Sequence, residues 1–215
     1  MAGPLEIRTV VSQPFDENTY IVWLPERRDA LVIDPGLEPE LILEALREND
    51  LTVAGILNTH GHADHIAGNA ALKQAFPEAP LIIGGGDEVM LRDAMANLSA
   101  PFGMRVVSPP ADRTVREGDA VELAGIPLEV LDIPGHSPGH VVFVWRGSPV
   151  LVLGGDVLFR GSIGRSDFPG GDGELLVQGI REKLFALPDD TVVYPGHGPV
   201  TTVGHEKRTN PFAGL

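Results

Sequence analysis

Thr59-His60-Gly61-His62-Ala63-Asp64-His65 sets three imidazoles and one carboxylate within six residues, directly after an apolar run at 53–57. A loop leaving a strand can turn such groups toward one point. Imidazole with carboxylate suits zinc, iron or manganese better than magnesium or calcium. The rival reading is a surface loop that happens to be rich in histidine. It is disfavoured by what lies downstream.

Two later segments repeat the design: Asp132-Ile133-Pro134-Gly135-His136-Ser137-Pro138-Gly139-His140 and Tyr194-Pro195-Gly196-His197-Gly198-Pro199. In both, an imidazole sits on a Gly/Pro-rich turn after an apolar strand. Leu151-Val152-Leu153-Gly154-Gly155-Asp156 ends a buried strand with a carboxylate. A buried carboxylate needs a counter-charge, which a metal supplies. Singly, each residue reads equally well as a cap, a turn residue or a hydrogen-bonded core histidine. Their common placement at strand ends favours one site.

Patterning predicts strands at 5–11, 19–24, 30–33, 53–57, 81–83, 121–123, 128–133, 141–145, 150–153 and 191–194. It predicts helices at 39–48, 66–76, 87–97 and 173–186. The order has no regular βαβ alternation and no internal repeat. Hairpins mixed with a few helices imply an α/β fold of two face-to-face sheets with helices outside. No linker divides the chain, so one domain over 1–215 is expected. The Gly-rich stretch 161–173 is expected to wall a site.

The 215 residues carry 16 basic and 30 acidic side chains, a formal charge of −14. Such a surface repels phosphate backbones, so nucleic acid is not an expected partner. No apolar run approaches the ~20 residues that span a bilayer, and no secretory signal is visible at 1–11. A membrane partner is not expected either. With no cysteine, disulfides, thiolate metal sites and a catalytic thiol are excluded. A cytoplasmic location is the expectation.

In order, His-x-His-x-Asp-His, Gly-His, Gly-Asp and a second Gly-His, with Asp34-Pro35-Gly36 after the third strand, resemble the metallo-β-lactamase superfamily. The resemblance implies a four-layer αββα sandwich with two divalent metal ions at one edge, between the sheets. It assigns His60, His62 and His136 to the first metal, Asp64, His65 and His197 to the second, and Asp156 to a bridge. Zinc is the expected metal, with iron or manganese as alternatives. Asp64 is also expected to orient the attacking water. Asp34 and Thr59 are either supports behind the ligands or plain turn and strand-end residues.

The stretch from Gly155 to Phe168, and above all Gly164-Arg165-Ser166-Asp167-Phe168-Pro169-Gly170-Gly171-Asp172, resembles glyoxalase II, the hydroxyacylglutathione hydrolases, in their short bacterial branch. Arg208-Thr209-Asn210-Pro211-Phe212 fits the same branch. This resemblance implies hydrolysis of a small-molecule thioester, S-lactoylglutathione to lactate and glutathione. Arg165 would then bind a substrate carboxylate through its planar fork; the alternative pairs it with Asp167 or Glu174. The pattern departs from longer glyoxalase II enzymes in two respects. The sequence ends at Leu215 without their C-terminal helical domain, and Asp167 stands where they have a substrate-binding tyrosine. The thiol half therefore stays open. Rival readings are a mono-iron glutathione persulfide dioxygenase using His60, His136 and Asp156, and a β-lactamase or lactonase. The dioxygenase family usually has a glutamine pair where this chain has Pro169-Gly170-Gly171. His140 is expected to be a hydrogen-bonded structural residue, Ser137 a turn residue, and Tyr194 packed.

Overall fold

Side chains alternate across a strand, and here the alternation serves three apolar layers. In a computed structural model, which describes residues 4–215, one six-stranded sheet has the order β1 (Glu6–Ser12), β2 (Glu17–Trp23), β3 (Asp29–Ile33), β4 (Thr52–Asn58), β5 (Leu81–Gly84) and β6 (Arg113–Val115). Its first three strands are antiparallel, and β3 to β6 are parallel neighbours. Helix α1 (Pro39–Glu48) joins β3 to β4; α2 (Ala63–Ile66) and α3 (Asn69–Ala75) join β4 to β5.

The second sheet contains β7 (Ala120–Leu123), β8 (Ile126–Asp132), β9 (Val141–Trp145) and β10 (Leu151–Gly155) as an antiparallel run. After a small hairpin of β11 (Leu158–Phe159) and β12 (Ser162–Ile163) come α4 (Gly173–Gly179), β13 (Val192–Pro195), β14 (Thr201–Thr202) and α5 (Val203–Thr209). Strand β13 pairs parallel to β10, and β14 pairs antiparallel to β13. Residues 1–3 of the expected 1–215 domain lie outside the described residues.

Tyr20, Val22, Leu31 and Ile33 of the first sheet meet Val130, Phe143, Trp145 and Leu153 of the second in the central layer. Their sequence neighbours Ile21, Ala30 and Val32 face the other way, onto Ile42, Leu46 and Leu72 of α1 and α3. Val142, Val144 and Val152 likewise face Leu176 of α4 and Val203 of α5. The result is the expected four-layer αββα sandwich. Burying each Leu, Ile, Val or Phe contributes roughly 1.5–3 kcal/mol, so the layers hold the strand ends rigidly.

Several local expectations are corrected. The helix expected at 66–76 is two helices that break at Gly68. Its N–H donates to Pro35 O at 2.8 Å. A Cβ there would lie 2.9 Å from Gly36 O, so glycine lets the chain run against the Asp34-Pro35-Gly36 turn. The helix expected at 87–97 is a 3-10 segment, Gly85–Leu91, followed by turns. Side-chain amides compete with the helix ladder there: Asn97 Nδ2 donates to Met90 O and Val106 O, both at 3.0 Å. The segment expected at 173–186 is α4 followed by a π turn, Ile180–Leu184. Strand 191–194 is not the last: β14 and α5 follow, and Thr202 caps α5 by accepting from His205 N. Strands β6, β11, β12 and β14 have only two or three residues each, too few for a periodic signal. Among the described residues no helix is long and apolar enough to cross a membrane.

Candidate metal centre

Strands β4, β8, β10 and β13 release the chain at one edge of the sandwich. The loops that follow carry His60 to His65, His136, Asp156 and His197. Backbone bonds stitch these loops together: Val141 N donates to Thr59 O (2.8 Å), Gly196 N to Gly155 O (2.7 Å), and Asn18 N to Gly196 O (2.7 Å). Gly155 has φ 47°, and a Cβ on it would strike Thr59 Oγ1 and His140 Nε2. Only glycine permits that approach.

All seven sequence-predicted residues come together. His136 Nε2 lies 2.8 Å from His62 Nδ1 and 3.3 Å from His60 Nε2. Asp64 Oδ2 lies 3.8 Å from His65 Nε2 and 3.4 Å from His197 Nε2. Asp156 stands between the groups, with Oδ2 at 3.4 Å from His136 Nε2 and 3.5 Å from His197 Nε2, and Oδ1 at 3.4 Å from His65 Nε2.

What lies behind the rings fixes how they face. Asp34 accepts from Thr59 N and Thr59 Oγ1, both at 2.7 Å. With its own proton given to Asp34, Thr59 Oγ1 accepts from His60 Nδ1 at 3.1 Å. His65 Nδ1 donates to Asp34 Oδ2 (3.2 Å), His136 Nδ1 to Arg165 O (2.7 Å) and His197 Nδ1 to Phe15 O (3.0 Å). This network assigns the tautomers, and four Nε2 lone pairs are left aimed into one space. His65 Nε2 and Asp156 Oδ1 are buried there without a hydrogen-bond partner. Acceptors facing acceptors repel unless a cation lies among them. The nitrogen and oxygen donor set therefore fits divalent transition metals. Asp34, His60 and His65 also cluster closely, but both Asp34 oxygens already accept hydrogen bonds, so Asp34 acts as a support.

The two groups differ electrostatically. Burial, reinforced by the neighbouring His65 and His140, holds His60 well below the usual imidazole range. Burial and then His136 push His62 down to about 3. Neutral imidazoles are ready ligands. Burial would also lower His65, yet Asp156, Asp64 and the bond to Asp34 outweigh it and hold the ring well above its ordinary value. Burial would raise Asp64, but His65 and His197 outweigh it and lower it. The Asp64 side is thus a pocket for positive charge.

Sequence reading missed Asp87. It is fully buried and accepts from Gly61 N (3.0 Å), Ser137 Oγ (2.6 Å) and Gly139 N (2.6 Å). It ties the His60–His62 loop to the His136 turn. An aspartate opening an expected helix gave no sign of this. Ser137 is thereby a turn residue, as expected. His140 is fully buried, stacks on His60 (4.7 Å, 17°), and accepts from Asp156 N at 3.0 Å. Tyr194 packs on Tyr20, and His205 lies on α5.

His62, Asp64, His136, Asp156 and His197 form one side of a cavity of about 450 Å³, also lined by Phe15, Leu98, Phe102, Met104, Phe159 and Phe168. Loop 161–173 supplies Arg165 and Phe168 to its wall. Arg165 lines the cavity, and its Nε and Nη2 donate to the two Asp167 oxygens at 2.7 Å, the pairing that was the alternative reading for it. Its guanidinium lies 3.9 Å over the Phe168 ring.

The family model described as the Metallo-beta-lactamase superfamily matches residues 13–197. The hydroxyacylglutathione hydrolase GloC of Haemophilus influenzae is 38% identical over 212 residues, covering 97% of this chain and 98% of that one. Among solved structures, the B3 metallo-beta-lactamase BLEG-1 superposes with a TM-score of 0.91 at 33% identity, covering 97% of this chain and 99% of that one. TTHA1623 in a di-iron-bound form gives 0.84 at 39% identity, covering 95% and 99%. The chain belongs to the metallo-β-lactamase superfamily. It is an enzyme of the metallo-hydrolase class.

Proposed function

We propose that the chain is a thioester hydrolase of the hydroxyacylglutathione type. Its two divalent metals would be held by His60, His62 and His136, and by Asp64, His65 and His197, with Asp156 shared. Zinc is the first choice and iron or manganese the alternatives. The observation that carries the reading is a seven-donor cluster opening into a cavity with one arginine in its wall. Similarity to GloC over nearly the whole length of both chains supports the thioester as the bond cleaved.

When bound, such a metal pair supplies Lewis acidity toward a carbonyl oxygen and brings the ionisation of water to about pH 7. Asp64 holds its carboxylate at the cavity, against His197, where it accepts a hydrogen bond from the attacking water and directs its oxygen at the acyl carbon. The C–S bond breaks. The acyl carbon leaves as a carboxylic acid, and the sulfur takes up a proton as a free thiol. Arg165 can exchange its exposed partner Asp167 for a substrate carboxylate, since exposed pairs contribute about 0–1 kcal/mol. The substrate is a small molecule; the acidic surface disfavours nucleic acid.

A second reading, β-lactam hydrolysis, is favoured by the superposition on BLEG-1. Metal-analysed protein offered S-lactoylglutathione, a β-lactam, and glutathione persulfide with oxygen monitored is expected to turn over only the first. Cleavage of the β-lactam alone would replace this reading with the second, and oxygen uptake would replace it with a mono-iron dioxygenase.

A further inference from the structure

Segment 92–107 forms the cavity wall through Leu98, Phe102 and Met104. It has little regular structure, yet it is braced from within. Asn97, fully buried, uses both amide protons on Met90 O and Val106 O. Its Oδ1 accepts from Ser99 N (3.0 Å) and Ser99 Oγ (2.7 Å). Ser99 Oγ in turn accepts from Val106 N at 3.1 Å. The carbonyl of Asn97 accepts from Ala63 N at 2.9 Å, which fastens the segment to the metal loop beside Asp64. Leu98 is held with φ 66°, a left-handed backbone that a leucine adopts only when its surroundings enforce it. Phe102 remains 59% exposed and meets Phe15 edge-on with ring centroids 5.8 Å apart. A braced, strained and partly exposed apolar wall beside a reaction centre is a preformed surface for an apolar ligand.

Charge points the same way. Arg165, the only lysine or arginine among the described residues lining the cavity, lies on loop 161–173 and not on the wall of Leu98, Phe102 and Met104. The wall offers little to a small hydroxylated acyl group and much to a hydrocarbon one.

We infer that the site prefers thioesters with an apolar acyl arm, which lies along Leu98, Phe102 and Met104. This rests on the thioesterase reading and names its substrate class. With the thiol held constant as glutathione, kcat/KM is measured for S-lactoyl, S-acetyl, S-butanoyl and S-hexanoyl thioesters. Each methylene leaving water adds up to about fourfold, so roughly tenfold or more is expected from acetyl to hexanoyl. Leu98→Gly, which relieves the backbone as it removes the side chain, and Phe102→Ala are each expected to lower the hexanoyl-to-acetyl ratio. Metal content and Tm serve as the folding control. Binding of S-methyl- and S-hexylglutathione, thioethers that cannot be cleaved, is expected to tighten in the same order.

A flat or falling acyl series, or a ratio that neither substitution changes, overturns the inference and leaves the thioesterase reading standing. No turnover of any thioester overturns that reading and the inference with it.

Discussion

Asp87 shows how one carboxylate can set the shape of a site it does not enter. Its three donors come from both loops that carry the three-histidine group. An asparagine in its place would turn an NH2 toward at least one of those donors. Leaving a buried polar group unmatched costs about 1–3 kcal/mol. Asp87→Asn is therefore expected to lower stability by about that amount and metal content from two per chain toward one, by elemental analysis. Unchanged stoichiometry would show that His60, His62 and His136 hold their places without it. The clustered histidines and aspartates themselves were legible in the sequence, because each follows an apolar strand in a Gly-rich turn and His60 to His65 are consecutive enough to notice. Asp87, the bonds of Asn97 to Met90 and Val106, and the two hydrogen bonds from Thr59 to Asp34 were not, since these partners lie 7 to 52 residues away.

At the scale of elements, the strands read well and the helices less so. Strands β2, β3, β9 and β10 are fully or almost fully buried, and their apolar runs declared them. The helical pattern at 66–76 ran through Gly68 because periodicity records a face and is silent about a neighbouring turn. Gly68→Ala tests that contact. Its Cβ would press on Pro35 and Gly36, moving α3 away from the turn that presents Asp34 to Thr59 and His65. A drop in Tm of several degrees is expected, with weaker metal retention during dialysis. Overpacking of this kind costs about 1–3 kcal/mol. An unchanged Tm would mean that the turn yields freely. The segment expected as a helix at 87–97 fails for a different reason: Asn97 takes the Met90 carbonyl that a helix would use.

For the molecule as a whole, stability and metal binding are coupled. Five imidazoles and two carboxylates crowd together at the sheet edge, and a cation bound only by the folded chain adds about 2.7 kcal/mol at a hundredfold excess over Kd. For 150–250 residues each kcal/mol is worth about 2–4 °C. Chelation is expected to lower Tm by roughly 5–10 °C, and returning zinc to restore it, by differential scanning fluorimetry. A Tm indifferent to chelator would place the cations outside the folding equilibrium.

The division of labour between strand ends and segment 92–107 has an evolutionary corollary. The clustered histidines and aspartates hang from a frame clamped by three separate cores, whereas Leu98, Phe102 and Met104 of the apolar wall are borne by one tether knotted around Asn97. Descendants can therefore rewrite what the enzyme accepts while inheriting its chemistry intact, and chimeras exchanging only that tether between relatives should trade appetites without trading reactions.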